Sequence, residues 1–405
     1  MNNFLLDFGV INSISKNKKE LYDNYFLNIK NGLKENYDYS YNNDKNFKKD
    51  SREDSKKFSL GKIENEFFDF KLENPYNNKI NKMALHSCNQ LKPIIDEAKK
   101  IYGKNRIGVI VGTCENGSDE TKDFILNGSV IDEKRILIMQ SLNICCDFLQ
   151  KYFDIKGISF TISTACTSSA NAIISADELI KSGIIDAAIV GGADVVTDTV
   201  VYGFDSLDIV DYNKINSFSK NRNGINLGEG AAFFILAKEN FIDSKDAIIL
   251  KGHESNSDSH HITSPDTEAK STSICINDAL KKSNLKIDDI DYINLHGTGT
   301  ILNDIMESNT LNKVGAENIY CSSSKTAFGH TIGAAGAMEL GICYLTLSSL
   351  NKEKILPMHL YDGEYDNNLK KINLVSKKIS LEKLNNCMSV SFGFGGSNTC
   401  LIIGK

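Results

Sequence analysis

One local pattern constrains the fold most, because it occurs in both halves of the chain: a short apolar run that ends in small residues. In the first half, residues 107–112 read IGVIVG and lead to Thr113. In the second half, residues 291–295 read DYINL and lead to HGT at 296–298. Buried strands that alternate with helices in two similar halves predict an α/β layered fold made by duplication.

Length and composition fit two layered units in one chain. The 405 residues exceed what one simple core holds, and we place the halves at 1–240 and 241–405. The net charge of −6, without a basic stripe, argues against a nucleic-acid partner. The ten cysteines, without a signal peptide, indicate reduced thiols in the cytoplasm. No apolar run approaches the roughly 20 residues that span a bilayer, so no membrane association is expected.

Hydrophobic periodicity predicts the order of the elements. We expect strands over residues 4–11, 106–113, 157–162, 186–194, 231–236, 248–254, 291–295 and 388–392. We expect helices from about residue 12 to 33 and over residues 82–102, 134–152, 171–182 and 272–282. Residues 35–57 are rich in Asn, Asp and Lys, which predicts a solvated loop.

Cys166 lies at a predicted corner between a strand and a helix. A thiol at such a corner is close to unpaired backbone N–H groups and to the positive end of the helix dipole, and both favour the thiolate. However, a free cysteine is more often a small buried apolar residue. Position alone leaves both interpretations open.

Three further segments place chemically useful side chains beside small residues. His296 ends a strand, Lys325 and His330 precede a helix of small residues, and Phe392 opens a glycine loop whose backbone can approach a ligand. Each segment alone has an ordinary structural explanation. Together with Cys166, they supply a nucleophile, two polarising groups and a cation. The sequence contains no HExxH motif, and no metal site is expected.

At these motifs the chain closely resembles the β-ketoacyl-acyl carrier protein synthases, the elongating condensing enzymes of fatty-acid and polyketide assembly. The matching segments are TACTS at 164–168, HGTGT at 296–300, KTAFGH at 325–330 with GAAGA at 333–337, and FGFGGSN at 392–398. Residues 170–175 and 204–230 look most like the synthases of aryl polyene pathways. The resemblance implies a thiolase-like layered αβαβα fold, with the nucleophile in the first half and the histidines and glycine loop in the second.

The resemblance also implies a ping-pong decarboxylative condensation in which Cys166 holds the acyl group as a thioester. The backbone N–H groups of Cys166 and Phe394 would form the oxyanion hole, and Phe394 would gate the acyl tunnel. The phosphopantetheine arm of the substrate would contact three threonines, with Phe392 also binding substrate. These threonines are Thr263, Thr298 and Thr300.

Four more side chains receive roles through the same resemblance. His296 and His330 would hydrogen-bond the oxygen of the malonyl thioester, where negative charge develops as carbon dioxide leaves. Lys325, paired with Glu339, would orient His330 and add positive potential. One departure is Val390, at a position where the family usually carries Asn.

The resemblance implies an acyl carrier protein as partner, and no resident cofactor, because the phosphopantetheine arm arrives on that carrier. It implies a homodimer, or a heterodimer with a chain-length partner. The alternative function is that of the non-catalytic chain-length subunit itself, but such subunits generally lack the nucleophile that Cys166 supplies here. A degradative thiolase would need a second catalytic cysteine where this chain has Phe394.

Overall fold

The structure is a computed structural model, and it describes residues 2–39, 56–64, 67–68, 70–116, 118–119, 122 and 137–405. None of the helices in these ranges has both the length and the apolar character needed to span a membrane. The described strands are β1 Asn3–Asn12, β2 Lys34–Tyr39, β3 Lys56–Leu60, β4 Ile107–Gly112, β5 Ser159–Ile162, β6 Ala187–Asp194, β7 Gly230–Ala237, β8 Ile248–Ser257, β9 Tyr292–Asn294, β10 Tyr320–Ser322, β11 Asn373–Leu374, β12 Asn386–Gly393 and β13 Ser397–Gly404.

The described α-helices flank these strands. They are α1 Lys18–Leu21, α2 Lys79–Asn89, α3 Lys92–Tyr102, α4 Ile144–Tyr152, α5 Ser168–Lys181, α6 Asp198–Asp205, α7 Lys270–Ser283, α8 Ile301–Lys313, α9 Lys325–Phe328 and α10 Ala335–Leu347. A π-helical turn, Tyr22–Leu27, follows α1 directly.

The strand order repeats between the two halves of the main sheet. The first half has the order β1-β7-β6-β4-β5, and the second has β8-β13-β12-β9-β10, with β11 at its outer edge. In both halves the first three strands are antiparallel and the next two pairings are parallel. A short antiparallel pairing of β1 with β8 joins the two sets. This repetition is what a duplicated α/β unit produces.

Alternating side chains divide the core into layers. On β7, Phe234 packs in the central cluster with α5 and α10, whereas Phe233 packs outward with α2, α3 and α4. On β13, Leu401 faces the same central cluster and Ile402 packs outward with α7 and α8. Every residue of α10 is buried, as the middle layer requires. The layers therefore follow the predicted order of helix, sheet, helix, sheet, helix.

Close contact between the two central helices depends on small residues. A Cβ atom added at Gly336 of α10 would lie 2.7 Å from Cβ of Ala170 on α5. The glycine therefore lets α10 approach α5 at the end of each helix that carries the site residues. This contact brings the first and second halves of the chain together where the candidate side chains lie.

Some predicted elements differ from the observed ones. The helix expected over residues 82–102 is two helices, α2 and α3, because the chain turns at Leu91 and restarts with Pro93 in the first turn of α3. Proline cannot continue a preceding helix. The helix expected after β1 is only α1 and the π-helical turn. The ends of the predicted 35–57 loop pair as β2 and β3, and residues 40–55 lie outside the described ranges. Within the helix expected over residues 134–152, residues 134–136 lie outside the described ranges, residues 137–139 are helical, and the chain turns before α4 begins at Ile144.

Candidate active site

Cys166 occupies the corner between β5 and α5, as the sequence predicts. The residue before it, Ala165, has a φ of 53°, in the left-handed region that costs energy for any residue with a Cβ. The Ser168 hydroxyl stabilises this conformation: the backbone N–H of Thr164 donates to Ser168 Oγ at 2.9 Å, and Ser168 Oγ donates to Ala165 O at 2.6 Å. This serine thus holds the strained turn that presents the thiol.

The second half of the chain brings two histidines to this thiol. His330 Nε2 lies 2.9 Å from Cys166 Sγ, and the rings of His330 and His296 are perpendicular with centroids 5.5 Å apart. The backbone of His330 is fixed to the preceding segment, since its N–H donates to Asn226 O and its carbonyl accepts from Gly228 N, both at 2.8 Å. The three side chains are buried and form one compact group.

Lys325 and Glu339 form a buried ion pair behind this group, as predicted, with each side chain only 1% exposed. The contact made by Lys325 with the histidines differs from the expectation. Its Nζ lies 3.2 Å from His296 Nδ1, so it orients His296 and not His330. Among the described residues, Nδ1 of His330 has no hydrogen-bond partner although it is buried.

The contact with Lys325 determines which ring nitrogen of His296 carries the proton. An ammonium group can only donate, so Nδ1 of His296 must be the acceptor, and Nε2 of the neutral ring carries the proton. Burial, together with the Lys325 charge, holds the pKa of His296 well below its usual range, which keeps the ring neutral. Since metal ligation at Nε2 would require loss of that proton, this arrangement favours hydrogen-bond donation over metal binding.

The thiol itself is not ionised by its surroundings at neutral pH. Burial raises the pKa of Cys166 to about 11, while the Lys325 charge and the backbone N–H groups of Phe394 and Cys166 act in the opposite direction. Burial and the same lysine also lower the pKa of His330. A neutral imidazole beside a neutral thiol is a pair that can exchange a proton when the sulfur attacks.

The glycine loop lies directly against the nucleophile corner. A Cβ added at Gly393 would be 3.2 Å from Thr164 O and 3.3 Å from Cys166 N. The loop turns at Gly395, which has a φ of 78°. The ring of Phe394 stacks on that of Phe204 with centroids 5.8 Å apart. The backbone N–H groups of Phe394 and Cys166 both interact with the Cys166 sulfur, and both lower the pKa of the thiol.

Two buried carboxylates that the sequence analysis did not select hold the HGTGT loop. Glu307 accepts from the N–H groups of His296 and Gly297, both at 2.7 Å. Asp304 accepts from Gly299 N at 3.2 Å. Burial raises the pKa of Glu307 to about 8 and that of Asp304 to about 6, and the donated hydrogen bonds oppose this effect. Their spacing of three residues on a helix, directly after the loop, was the available signal.

A cavity of about 360 Å³ connects these elements to the surface. The predicted site residues on its wall are Cys166, Thr263, His296, Thr298, Thr300, His330, Phe392 and Phe394. Thr298 and Thr300 are in mutual contact, with their hydroxyl oxygens 2.8 Å apart. Lys325 and Glu339 are fully buried and do not line the wall. The structure therefore brings all ten predicted residues to one site, eight on the cavity wall and two buried behind it.

Known protein families and individual proteins are similar to this chain over both of its halves. The family model for the β-ketoacyl synthase N-terminal domain matches residues 28–241, and the one for the C-terminal domain matches residues 247–360. The chain is 29% identical to 3-oxoacyl-[acyl-carrier-protein] synthase 1 of Buchnera aphidicola subsp. Baizongia pistaciae, with 98% of this chain and 97% of the relative covered. It is also 29% identical to the mitochondrial 3-oxoacyl-[acyl-carrier-protein] synthase of Arabidopsis thaliana, with 74% and 68% covered.

Solved structures agree over the whole chain. A ketosynthase, ApeO, in complex with its chain length factor, ApeC, from Xenorhabdus doucetiae superimposes with a TM-score of 0.86 and 33% identity, covering 100% of this chain and 98% of that chain. A β-ketoacyl synthase from Burkholderia phymatum STM815, at 22% identity, shows the same fold with a TM-score of 0.82 over 100% of this chain and 99% of that one. With a cysteine and two histidines at one cavity, and family matches across both halves, the chain belongs to the β-ketoacyl synthase family.

Proposed function

We propose that this chain condenses an acyl group, held as a thioester on Cys166, with malonyl-acyl carrier protein to give a β-ketoacyl-acyl carrier protein. The observation that carries the proposal is the 2.9 Å contact between Cys166 Sγ and His330 Nε2, with His296 beside them on the wall of one cavity. This set supplies the nucleophile for acyl transfer and two ring nitrogens for the decarboxylation.

In the first half-reaction, Cys166 Sγ attacks the carbonyl carbon of an acyl thioester. The thiol proton moves to His330 Nε2 and stays there, and the carrier thiolate departs and takes up a proton from solvent. The backbone N–H groups of Cys166 and Phe394 stabilise the oxyanion, a contribution of about 3 kcal/mol for each such donor. The result is a thioester on Cys166 and a free carrier thiol.

In the second half-reaction, the bond between the malonyl unit and its carboxylate breaks, and carbon dioxide leaves. The electron pair moves onto the thioester oxygen, where His296 Nε2–H and His330 donate to it. Buried donors stabilise this negative charge more strongly than water does. The enolate carbon then attacks the acyl carbonyl carbon, which forms the new carbon–carbon bond and releases the Cys166 sulfur. The sulfur takes its proton back from His330 Nε2, which lies 2.9 Å away in the free enzyme.

The proposed partner in both steps is an acyl carrier protein. Its phosphopantetheine arm would enter along the cavity wall past Thr263, Thr298, Thr300 and Phe392. The steps above use only side chains and backbone of this chain, and therefore need no resident cofactor. Support comes from the relatives that carry the name of acyl carrier protein synthases.

We also propose a two-chain particle, either a homodimer or a heterodimer with a chain-length partner. The ApeO structure, in which a ketosynthase is bound to its chain length factor, supports the second arrangement. An aryl polyene pathway is our proposal for the biological setting, on the resemblance of residues 170–175 and 204–230. We place the protein in the cytoplasm, since all ten cysteines are free. The functional halves remain 1–240 and 241–405 in this proposal.

The second candidate function, a non-catalytic chain-length subunit, is less well supported because Cys166, His296 and His330 are all present and in contact range. Mass spectrometry separates the two functions. The purified chain is incubated with an acyl-carrier protein donor, and the peptide that contains Cys166 should gain the acyl mass. Subsequent addition of malonyl-carrier protein should give a β-ketoacyl product. Folded wild type that gains no acyl group, or Cys166→Ala that gains it equally, would exclude the condensing function.

A further inference from the structure

Asp194, the last residue of β6, is a fully buried carboxylate that the reaction steps above do not use. Every side-chain hydrogen bond described for it is donated by another residue. Thr113 Oγ1 at 3.0 Å and Glu115 N at 2.8 Å donate to Oδ1. Cys114 N at 2.9 Å and Gly333 N at 2.6 Å donate to Oδ2. One side chain thus joins the segment after β4 to the segment that precedes α10.

The first of these segments contacts the nucleophile corner. Cys114 Sγ lies 3.4 Å from Ala165 O and 3.4 Å from Ser168 Oγ. These two groups form the strained turn that presents Cys166. Asp194 fixes the backbone of Cys114, and Cys114 contacts the strained turn. Asp194 therefore also stabilises that turn.

The second segment leads directly from His330. Between His330 and Gly333 lies Ile332, which has a φ of 52°. A β-branched residue in the left-handed region is strained, and the conformation persists only when its surroundings enforce it. A Cβ added at Gly333 would lie 2.5 Å from Asp194 Oδ2, so the carboxylate and this backbone are in direct contact.

We infer that Asp194 is a positioning residue that sets the separation of Cys166 Sγ and His330 Nε2 by holding two strained turns to one carboxylate. The inference rests on the roles that the proposed function gives to Cys166 and His330. Asparagine has the same shape but only one acceptor oxygen. In Asp194→Asn, the N–H of either Gly333 or Glu115 must therefore face an amide NH₂ group.

The test is the pH profile of Cys166 alkylation by iodoacetamide, followed by mass spectrometry without carrier protein. In Asp194→Asn, the proton acceptor His330 Nε2 and the backbone N–H donors should no longer lie at the correct distance from the Cys166 thiol. Alkylation near neutral pH should then slow about tenfold or more, and the profile should move to higher pH. A profile equal to that of wild type in the folded variant would overturn the inference.

Asp177→Asn is the matched control. Asp177 is also a fully buried carboxylate, it lies near the other end of α5, and it accepts from Asn3 Nδ2 and His253 Nε2, both at 2.8 Å. This variant should lower the melting temperature and leave the Cys166 profile unchanged. If both variants shift the profile equally, Asp194 acts only through general stability, and the inference fails.

Gly333→Ala provides a second route if Asp194→Asn does not fold, because its methyl group pushes against Asp194 Oδ2. It should give the same shift in the Cys166 profile, and an unchanged profile in folded Gly333→Ala would count against the positioning role. Alkylation needs no acyl donor. If Cys166 of the wild-type protein is alkylated but never acylated, the proposed function is refuted, whereas the role of Asp194 is not decided by that result.

Discussion

Lys325 Nζ lies 3.2 Å from Nδ1 of His296, and this contact distinguishes the two histidines at the nucleophile. His296 is held in the form that carries its proton on Nε2, so it can only donate there. His330 has no partner at Nδ1 among the described residues, and its ring can therefore accept at Nε2 in one step and donate in another. One histidine is a fixed donor, while the other can change its role between the two half-reactions.

Lys325→Met should therefore affect decarboxylation more than acyl transfer. It removes the charge and the donor to His296 Nδ1, whereas Lys325→Gln removes the charge but keeps an N–H donor on a side chain one bond shorter. We expect release of carbon dioxide from malonyl-carrier protein to fall about 100-fold or more in the Met variant, and less in the Gln variant. Because Glu339 loses its partner in both, Glu339→Gln is the control for stability. Equal rates in the Met and Gln variants would contradict the tautomer argument.

His330→Ala should slow decarboxylation far more than acylation of Cys166. The enolate step loses one of two buried donors, a loss of about 10²–10³-fold, and nothing at this position replaces it. In acyl transfer, the backbone N–H groups near the sulfur remain, so the loss should be smaller. Stopped-flow acylation and carbon dioxide release measure the two steps separately. Equal losses in both would show that His330 does not act mainly on the enolate.

His359 should make the protein less stable in acid. Its Nδ1 accepts from Ser323 N at 3.1 Å, and its Nε2 donates to Ser217 O at 3.0 Å, so the buried ring must be neutral. Burial lowers its pKa to about 4, whereas the unfolded chain titrates near the ordinary value of 6.5. The unfolded state therefore binds more protons between these values. The stabilisation is complete above pH 6.5 and is lost as the pH falls toward 4, by about 3 kcal/mol.

Urea unfolding at several pH values measures this contribution. His359→Asn cannot be protonated in this range, and its free energy of unfolding should fall less than that of wild type between pH 6.5 and 4. Parallel curves for the two proteins would assign the acid sensitivity to other groups.

Glu307→Gln should weaken condensation through the backbone of the HGTGT loop. Glutamine has one acceptor oxygen for two N–H groups, those of His296 and Gly297, so one of them is left buried without an acceptor. We expect a loss of about 1–3 kcal/mol in the free energy of unfolding. We also expect a lower rate of condensation, because the loop positions His296. If the variant is destabilised but condenses at the wild-type rate, the loop does not depend on Glu307 for its active shape.

The sequence predicted those features that depend on local periodicity and motif order. The corner at Cys166 and the repeated strand order follow from runs of apolar residues whose period is visible along the chain. The contact of Lys325 with His296 was not predictable, because it depends on which way a long side chain extends inside a packed core. Glu307 was missed for a related reason. Its carboxylate oxygens accept hydrogen bonds from backbone N–H groups, and no side-chain motif reveals such contacts.

The other two differences have separate causes, one long-range and one local. Residues 35–57 have the composition of a loop, yet their ends form β2 and β3, since strand pairing depends on a partner distant in sequence. The helix expected over 82–102 has an uninterrupted amphipathic pattern, and only the turn at Leu91 with the following Pro93 divides it. The spacing of apolar residues does not indicate where one helix ends and the next begins.

The joining of the two strand sets through β1 and β8 has a consequence for how such an enzyme can be divided. The thiol belongs to the first set and both imidazoles to the second, so neither fragment alone holds a complete reaction centre. A chain cleaved in the connection between β7 and β8 would be inert as separated pieces. Its activity would return only on reassociation of the fragments, which makes fragment complementation a direct reporter of the contact between the two halves.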